Sequence, residues 1–119
     1  MNILSQIIIG FVAFLHLYFL WLEMFAWTTQ GPKVFTNFPK DLFPKTKAMA
    51  ANQGLYNGFL AAGLLWTFFI SDEMWSNNIA LFFLNCALIA AIYGANSISK
   101  KIFYIQGLPA IIGILSLFL

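Results

Sequence analysis

A few side chains able to bind, orient or exchange protons stand out against a strongly apolar background. His16 and Glu23 are seven residues apart, and Trp27 follows four later. At about 100° per residue these three fall in a narrow arc of one helix. Glu23 is the one acid inside an apolar run. It could exchange protons, bind an amine or act as a general acid or base. The structural alternative is a carboxyl group holding two helices together through Asn52 or Gln53. Seven residues correspond to about 10 Å along a helix axis. Any coupling of His16 to Glu23 therefore needs a bridging water, ligand or tyrosine; otherwise a neighbouring amide satisfies His16.

A second group is Asn52, Gln53, Tyr56 and Asn57, read as one arc of a later helix. It offers donors and acceptors without charge, which suits a hydroxyl, a carbonyl or a head group. The alternative is interhelical glue. Further along, Asn78, Asn85 and Asn96 share a face, with Tyr93 nearby. Gln106 precedes Pro109, a residue able to kink a helix and free a carbonyl. Two ladders of small residues run beside these groups. One is Gly54, Gly58 and Ala62, containing a GxxxG pattern; the other is Ala87, Ala91 and Ala95. Such ladders let backbones approach closely, within a bundle or in a homodimer.

The elements that position these groups follow from composition. The chain has 119 residues, 61% hydrophobic and only 8% charged. Soluble domains carry about 25% charged residues, so lipid is the expected solvent for most of the surface. A net charge of +2 gives no case for nucleic acid. The single cysteine, Cys86, can form no intramolecular disulfide and reads as a packed thiol. No zinc-ligand spacing, phosphate loop, Ser-His-Asp order or redox CxxC is present, and neither a metal nor a cofactor is expected.

A membrane-spanning helix needs about 20 mostly apolar residues. Four segments qualify: about 3–27, 46–70, 77–97 and 101–119. No Lys or Arg precedes the first, it is too long for a signal peptide and no cleavage pattern follows, so it is read as a retained helix. Short connectors make consecutive helices antiparallel. The expected fold class is all-α, a four-transmembrane-helix antiparallel bundle in a single domain.

The lysines orient it. Lys33, Lys40, Lys45 and Lys47 belong to the first connector, and Lys100 and Lys101 to the third. The other side has none. Positive charge favours the cytoplasm, which places both termini outside; dual insertion is the competing topology. In the connector 28–45, Val34, Phe35, Phe38, Leu42 and Phe43 alternate with Lys33, Lys40 and Asp41. This suits a segment resting in the head-group layer among membrane lipids, or a lid over a cytoplasmic cavity. Trp21, Trp27, Trp66 and Trp75 lie mostly near helix ends, as an aromatic belt would.

Antiparallel order also assigns depth. Glu23, Asn52, Gln53, Asn96 and Gln106 fall in the cytoplasmic third. His16, Asn57 and Asn85 fall near mid-membrane, with Tyr56 and Tyr93 between. Polar groups inside spans are costly unless they face the bundle interior or a wet cavity. The pattern predicts one polar-lined interior pocket.

Two segments, from His16 to Trp27 and from Ala51 to Leu64, carry the patterns H-x6-E-M-x2-W and N-Q-G-x-Y-N-G-F-L-A-x-G. They resemble a family of small bacterial membrane proteins, domain of unknown function 1304, over nearly the whole chain. The resemblance implies a four-helix membrane protein of the bacterial plasma membrane. It highlights His16, Glu23, Trp27, Asn52, Gln53, Tyr56 and Asn57 and supplies no substrate.

Three functions compete. The first is binding or transport of a small amphipathic molecule, with Glu23 and His16 as titratable contacts and Asn52, Gln53, Tyr56 and Asn57 orienting it. The second is an intramembrane enzyme acting on a lipid or isoprenoid with Glu23 as acid/base, for which the sequence names no nucleophile. The third is a structural or accessory subunit whose polar layers specify helix packing.

Overall fold

Where the apolar runs begin and end is decided by a few polar side chains and prolines. The computed structural model describes residues 1–119 and is all-α, with six α-helices and no strand. Helix α1 (Ile3–Phe25) is started by Asn2, whose Oδ1 accepts from the Ser5 backbone N–H at 2.7 Å. That satisfies one of the donors a helix start leaves open. Two one-turn helices follow, α2 (Gly31–Val34) and α3 (Leu42–Lys45). Helix α4 (Lys47–Trp66) tightens into a 3₁₀ turn over Thr67–Phe69. Thr67 Oγ1 donates to the Leu64 carbonyl there at 2.6 Å.

Helix α5 (Glu73–Ser97) starts four residues earlier than its apolar run. Asp72 caps it, accepting from the Trp75 N–H at 3.1 Å, and Glu73 in the first turn complements the helix dipole. The last segment opens with a π-helical turn, Phe103–Gly107, and continues as α6 (Leu108–Ser116) with Pro109 in its first turn. Proline cannot donate to the preceding turn, and the wider π turn sits immediately before it.

Two helices, α1 and α5, are long and apolar enough to cross a membrane; residues 103–116 are apolar but shorter. The chain divides into two units: Met1–Leu15 with Leu60–Leu119, and His16–Phe59.

In the first unit the core is formed by Ile9, Val12, Ala13, Leu64, Ala80 and Leu84, all fully buried. Small residues fix how close its helices come. A Cβ on Gly63 would strike the Phe83 ring, and one on Gly113 would lie 3.2 Å from the Leu84 methyls. Small residues at these positions let the helix backbones approach closely. At one end of this unit Ser5 Oγ donates to Ser116 Oγ at 2.9 Å and Asn2 Nδ2 to the Ser116 carbonyl at 2.9 Å. Ser76 Oγ donates to the Thr67 carbonyl at 2.8 Å. The start of α1 thus meets the end of α6, and the start of α5 meets the end of α4.

In the second unit, the C-terminal part of α1 packs on the N-terminal part of α4. The chain between them is built around Trp27, whose indole has Phe35, Phe38 and Phe43 at centroid distances of 5.6, 6.1 and 4.9 Å. Gly31 makes room for this cluster, since a Cβ there would come within 2.8 Å of the Phe43 ring. Lys33, Lys40, Asp41, Lys45 and Lys47 remain exposed.

Candidate functional site

In the second unit a polar contact joins side chains of the two long helices. Asn57 Nδ2 of α4 donates to Glu23 Oε1 of α1 at 2.6 Å, at the short end for an N–H···O bond. Gly54, one turn before Asn57 on the same face of α4, makes this possible. Its absent side chain lets α4 approach Leu20, Glu23 and Met24. A Cβ at Gly54 would lie 2.7 Å from Met24 Cγ, 3.1 Å from Glu23 Cβ and 3.1 Å from the Leu20 carbonyl oxygen. Gly58 faces the same helix, where a Cβ would meet only the tip of Leu20, at 2.6 Å from Cδ1. The GxxxG pattern is therefore used between α1 and α4.

His16 is fully buried two turns before Glu23, with its ring edge-on to Phe19 at 5.4 Å. Trp27 is half-buried, and its Nε1 donates to Thr46 Oγ1 at 2.9 Å. Thr46 Oγ1 in turn donates to the Leu42 carbonyl at 2.8 Å. The indole is thereby held in the aromatic cluster, satisfied as a buried Trp N–H usually is. Thr46 and Gly31 were not among the residues singled out by sequence; Phe43 was, as an apolar residue of the connector. The usable signal was the requirement of a buried tryptophan for a nearby acceptor.

The four residues read as one arc of α4 separate. Asn57 is buried against α1, whereas Asn52, Gln53 and Tyr56 are exposed. At about 100° per residue, Asn52 and Asn57 differ by roughly 140°, too much for one narrow contact. Ala62 of the glycine ladder is also exposed, and Ala61 and Gly63 take the buried positions. Asn52 borders a shallow groove, nearly as open as a flat surface, whose other lining residues are Met24, Ala48, Met49, Ala51 and Leu55. This groove presents one amide on an apolar wall.

In the first unit Gln106 is buried within the π turn. Ala87 and Ala91 are buried and Ala95 half-buried, and a Cβ on Gly107 would lie 3.1 Å from Ala91 Cβ. Asn85, Tyr93 and Asn96 are exposed on α5. Asn85 Nδ2 donates to the Leu81 carbonyl of its own helix at 2.8 Å. Six of the eleven polar residues expected to line an interior therefore face outward: Asn52, Gln53, Tyr56, Asn85, Tyr93 and Asn96. The reason is angular, since a helical wheel fixes relative directions but not which direction a neighbour occupies.

An all-α chain with two helices long enough to cross a membrane, and a carboxyl–amide pair set between apolar helices, defines the class. The family described as a protein of unknown function, DUF1304, matches residues 10–118. Uncharacterized protein YpaA of Lactococcus lactis subsp. lactis (strain IL1403) is 31% identical over 120 residues, covering 99% of each chain. This chain belongs to that family of unknown function. No solved structure matches it.

Proposed function

We propose that this is a multi-pass protein of the bacterial plasma membrane that crosses the bilayer four times and binds a small amphipathic molecule. Four passes in alternating direction are supported by the first unit's contacts, Ser5 with Ser116 and Ser76 with Thr67. They bring helix starts beside helix ends, as antiparallel passes require, the first against the last and the second against the third. The six lysines support an orientation with residues 28–45 and the turn at Lys100 in the cytoplasm and both termini outside.

The observation that carries the binding function is the groove beside Asn52. Met24, Met49 and Leu55 would receive an apolar body, with the methionines adapting to its shape. The Asn52 amide would donate to or accept from the polar end. The Glu23–Asn57 bond fixes the α1 wall from which Met24 projects. Native mass spectrometry of protein released gently from its own membrane tests this. Wild type is compared with Ala51→Phe, which fills the groove, and Asn52→Leu, which removes its amide. The expected result is an adduct of defined mass on wild type, reduced at least tenfold in Ala51→Phe. Equally folded proteins carrying the same loosely held lipids would overturn it.

A second reading, a structural or accessory subunit, is favoured by the Glu23–Asn57 bond itself, because these groups use hydrogen-bonding capacity on each other. On that reading Glu23→Gln leaves the cellular function intact, while enlarging Gly54 abolishes it.

A further inference from the structure

Helix α5 has two faces with different fates. Ser76, Ala80, Leu84, Ala87, Ala91 and Gly94 are buried in the first unit. The opposite side carries Trp75, Asn78, Phe82, Asn85, Ile89, Ile92 and Asn96, and every one of these is exposed. Their spacing is 3, 4, 3, 4, 3 and 4 residues. That is the spacing of one face of a helix, and it is the repeat a two-helix seam uses. The seam runs the length of the helix. It is not a scatter of lone apolar residues: Phe82 is 64% and Ile89 66% exposed.

The asparagines supply the need for a partner. Asn85 is the middle residue of α5, so in a helix that crosses the bilayer it lies near the midplane. Asn78 is about 10 Å from it along the axis, still within a hydrocarbon core of about 30 Å. Asn96 is about 16 Å to the other side, near the interface. Asn78 and Asn96 make no side-chain hydrogen bond within the chain, and Asn85 uses only one amide hydrogen, on Leu81. Amides facing lipid at these depths are costly, and a second helix that can donate and accept in return removes the cost.

We propose that the covering partner is a second copy of this chain, docked seam to seam along α5 about a twofold axis normal to the membrane. Two copies inserted in the same orientation present their α5 helices in parallel. In an isologous pair each seam position then meets itself. Asn85 faces Asn85, and Asn78 and Asn96 do likewise. Each primary amide both donates and accepts, so identical residues are mutually complementary, and the phenylalanine and isoleucine positions pack between them. A polar residue at an a or d site also fixes the register. The proposal rests on α5 crossing the membrane, as the proposed function holds.

Single-cysteine variants in a Cys86→Ser background, oxidised in native membranes, test it. A disulfide forms only where Cα atoms come within about 7 Å. Ile89→Cys and Ile92→Cys lie on the seam. Ala90→Cys is exposed but points roughly 100° away from Ile89. The expected result is at least tenfold more cross-linked dimer at 89 and 92 than at 90. Changing Asn78, Asn85 and Asn96 together to Leu in the Ile89→Cys chain should lower that yield severalfold. Equal yields at 89 and 90, or no dimer from protein that resists alkaline extraction, would overturn the seam. Release of the protein by alkaline extraction would instead overturn the membrane reading and remove the lipid argument with it.

Discussion

Replacing Gly54 with alanine adds one methyl group where α4 comes close to α1, including its backbone. The new Cβ would sit 2.7 Å from Met24 Cγ and 3.1 Å from both Glu23 Cβ and the Leu20 carbonyl oxygen. None of these atoms is the free end of a flexible side chain, and one is backbone. The helices must therefore move apart by a few tenths of an ångström or Met24 must leave its rotamer. Overpacking of this kind costs about 1–3 kcal/mol. Against it stands the helix preference of alanine over glycine, about 1 kcal/mol. The net expectation is a loss of about 1 kcal/mol, with a weaker Glu23–Asn57 bond as the helices separate. Gly58→Ala is the internal control. It comes close only to Leu20 Cδ1, with Leu20 Cγ at an ordinary 3.9 Å; that methyl can rotate away, so the propensity gain survives and stability is unchanged or raised by up to about 1 kcal/mol. The assay is equilibrium unfolding in mixed micelles titrated with a denaturing detergent, both variants beside wild type. Gly58→Ala proving as costly as Gly54→Ala, or Gly54→Ala proving neutral, would refute the close approach on which the site's geometry depends.

Two further outcomes follow from the same geometry. A double-mutant cycle of Glu23→Gln and Asn57→Leu should give a coupling of about 0.5–2 kcal/mol, the range of interhelical hydrogen bonds in membranes; strictly additive effects in the unfolding assay would show that the two side chains do not interact. Cysteines placed at Lys40 and at Asp72 in the Cys86→Ser background should be labelled by a membrane-impermeant maleimide from opposite sides of the membrane, Lys40 from the cytoplasmic side; labelling of both from one side would refute the alternating topology.

Most of the helical skeleton is readable from residue pattern, and the departures have local causes. The run read as 3–27 is a helix ending at Phe25, followed by turn backbone that leads to Gly31. The span read as 46–70 is helical to Trp66 and then narrows to a 3₁₀ turn. The third span, read from 77, begins at Glu73 because Asp72 caps it. Asp72 and Glu73 look like connector residues by polarity, yet carboxylates are favoured at a helix start. The one-turn helices α2 and α3 are too short to leave a periodic signal. They exist because Phe35, Phe38 and Phe43 gather on Trp27.

The candidate site shows the same division. That Glu23 is the lone acid in an apolar run, and that an amide would answer it, are facts of the sequence. Asn52 and Gln53 were the expected partners, and Asn57 is the actual one. Residue type and spacing determined the all-α class, the family and the set of polar groups, because apolar runs, caps and prolines act locally. Which amide turns toward Glu23, which amides face outward, and that Trp27 is held by Thr46 depend on which faces of the helices meet. The close approach at Gly54 decides the first of these, and only the tertiary structure contains it.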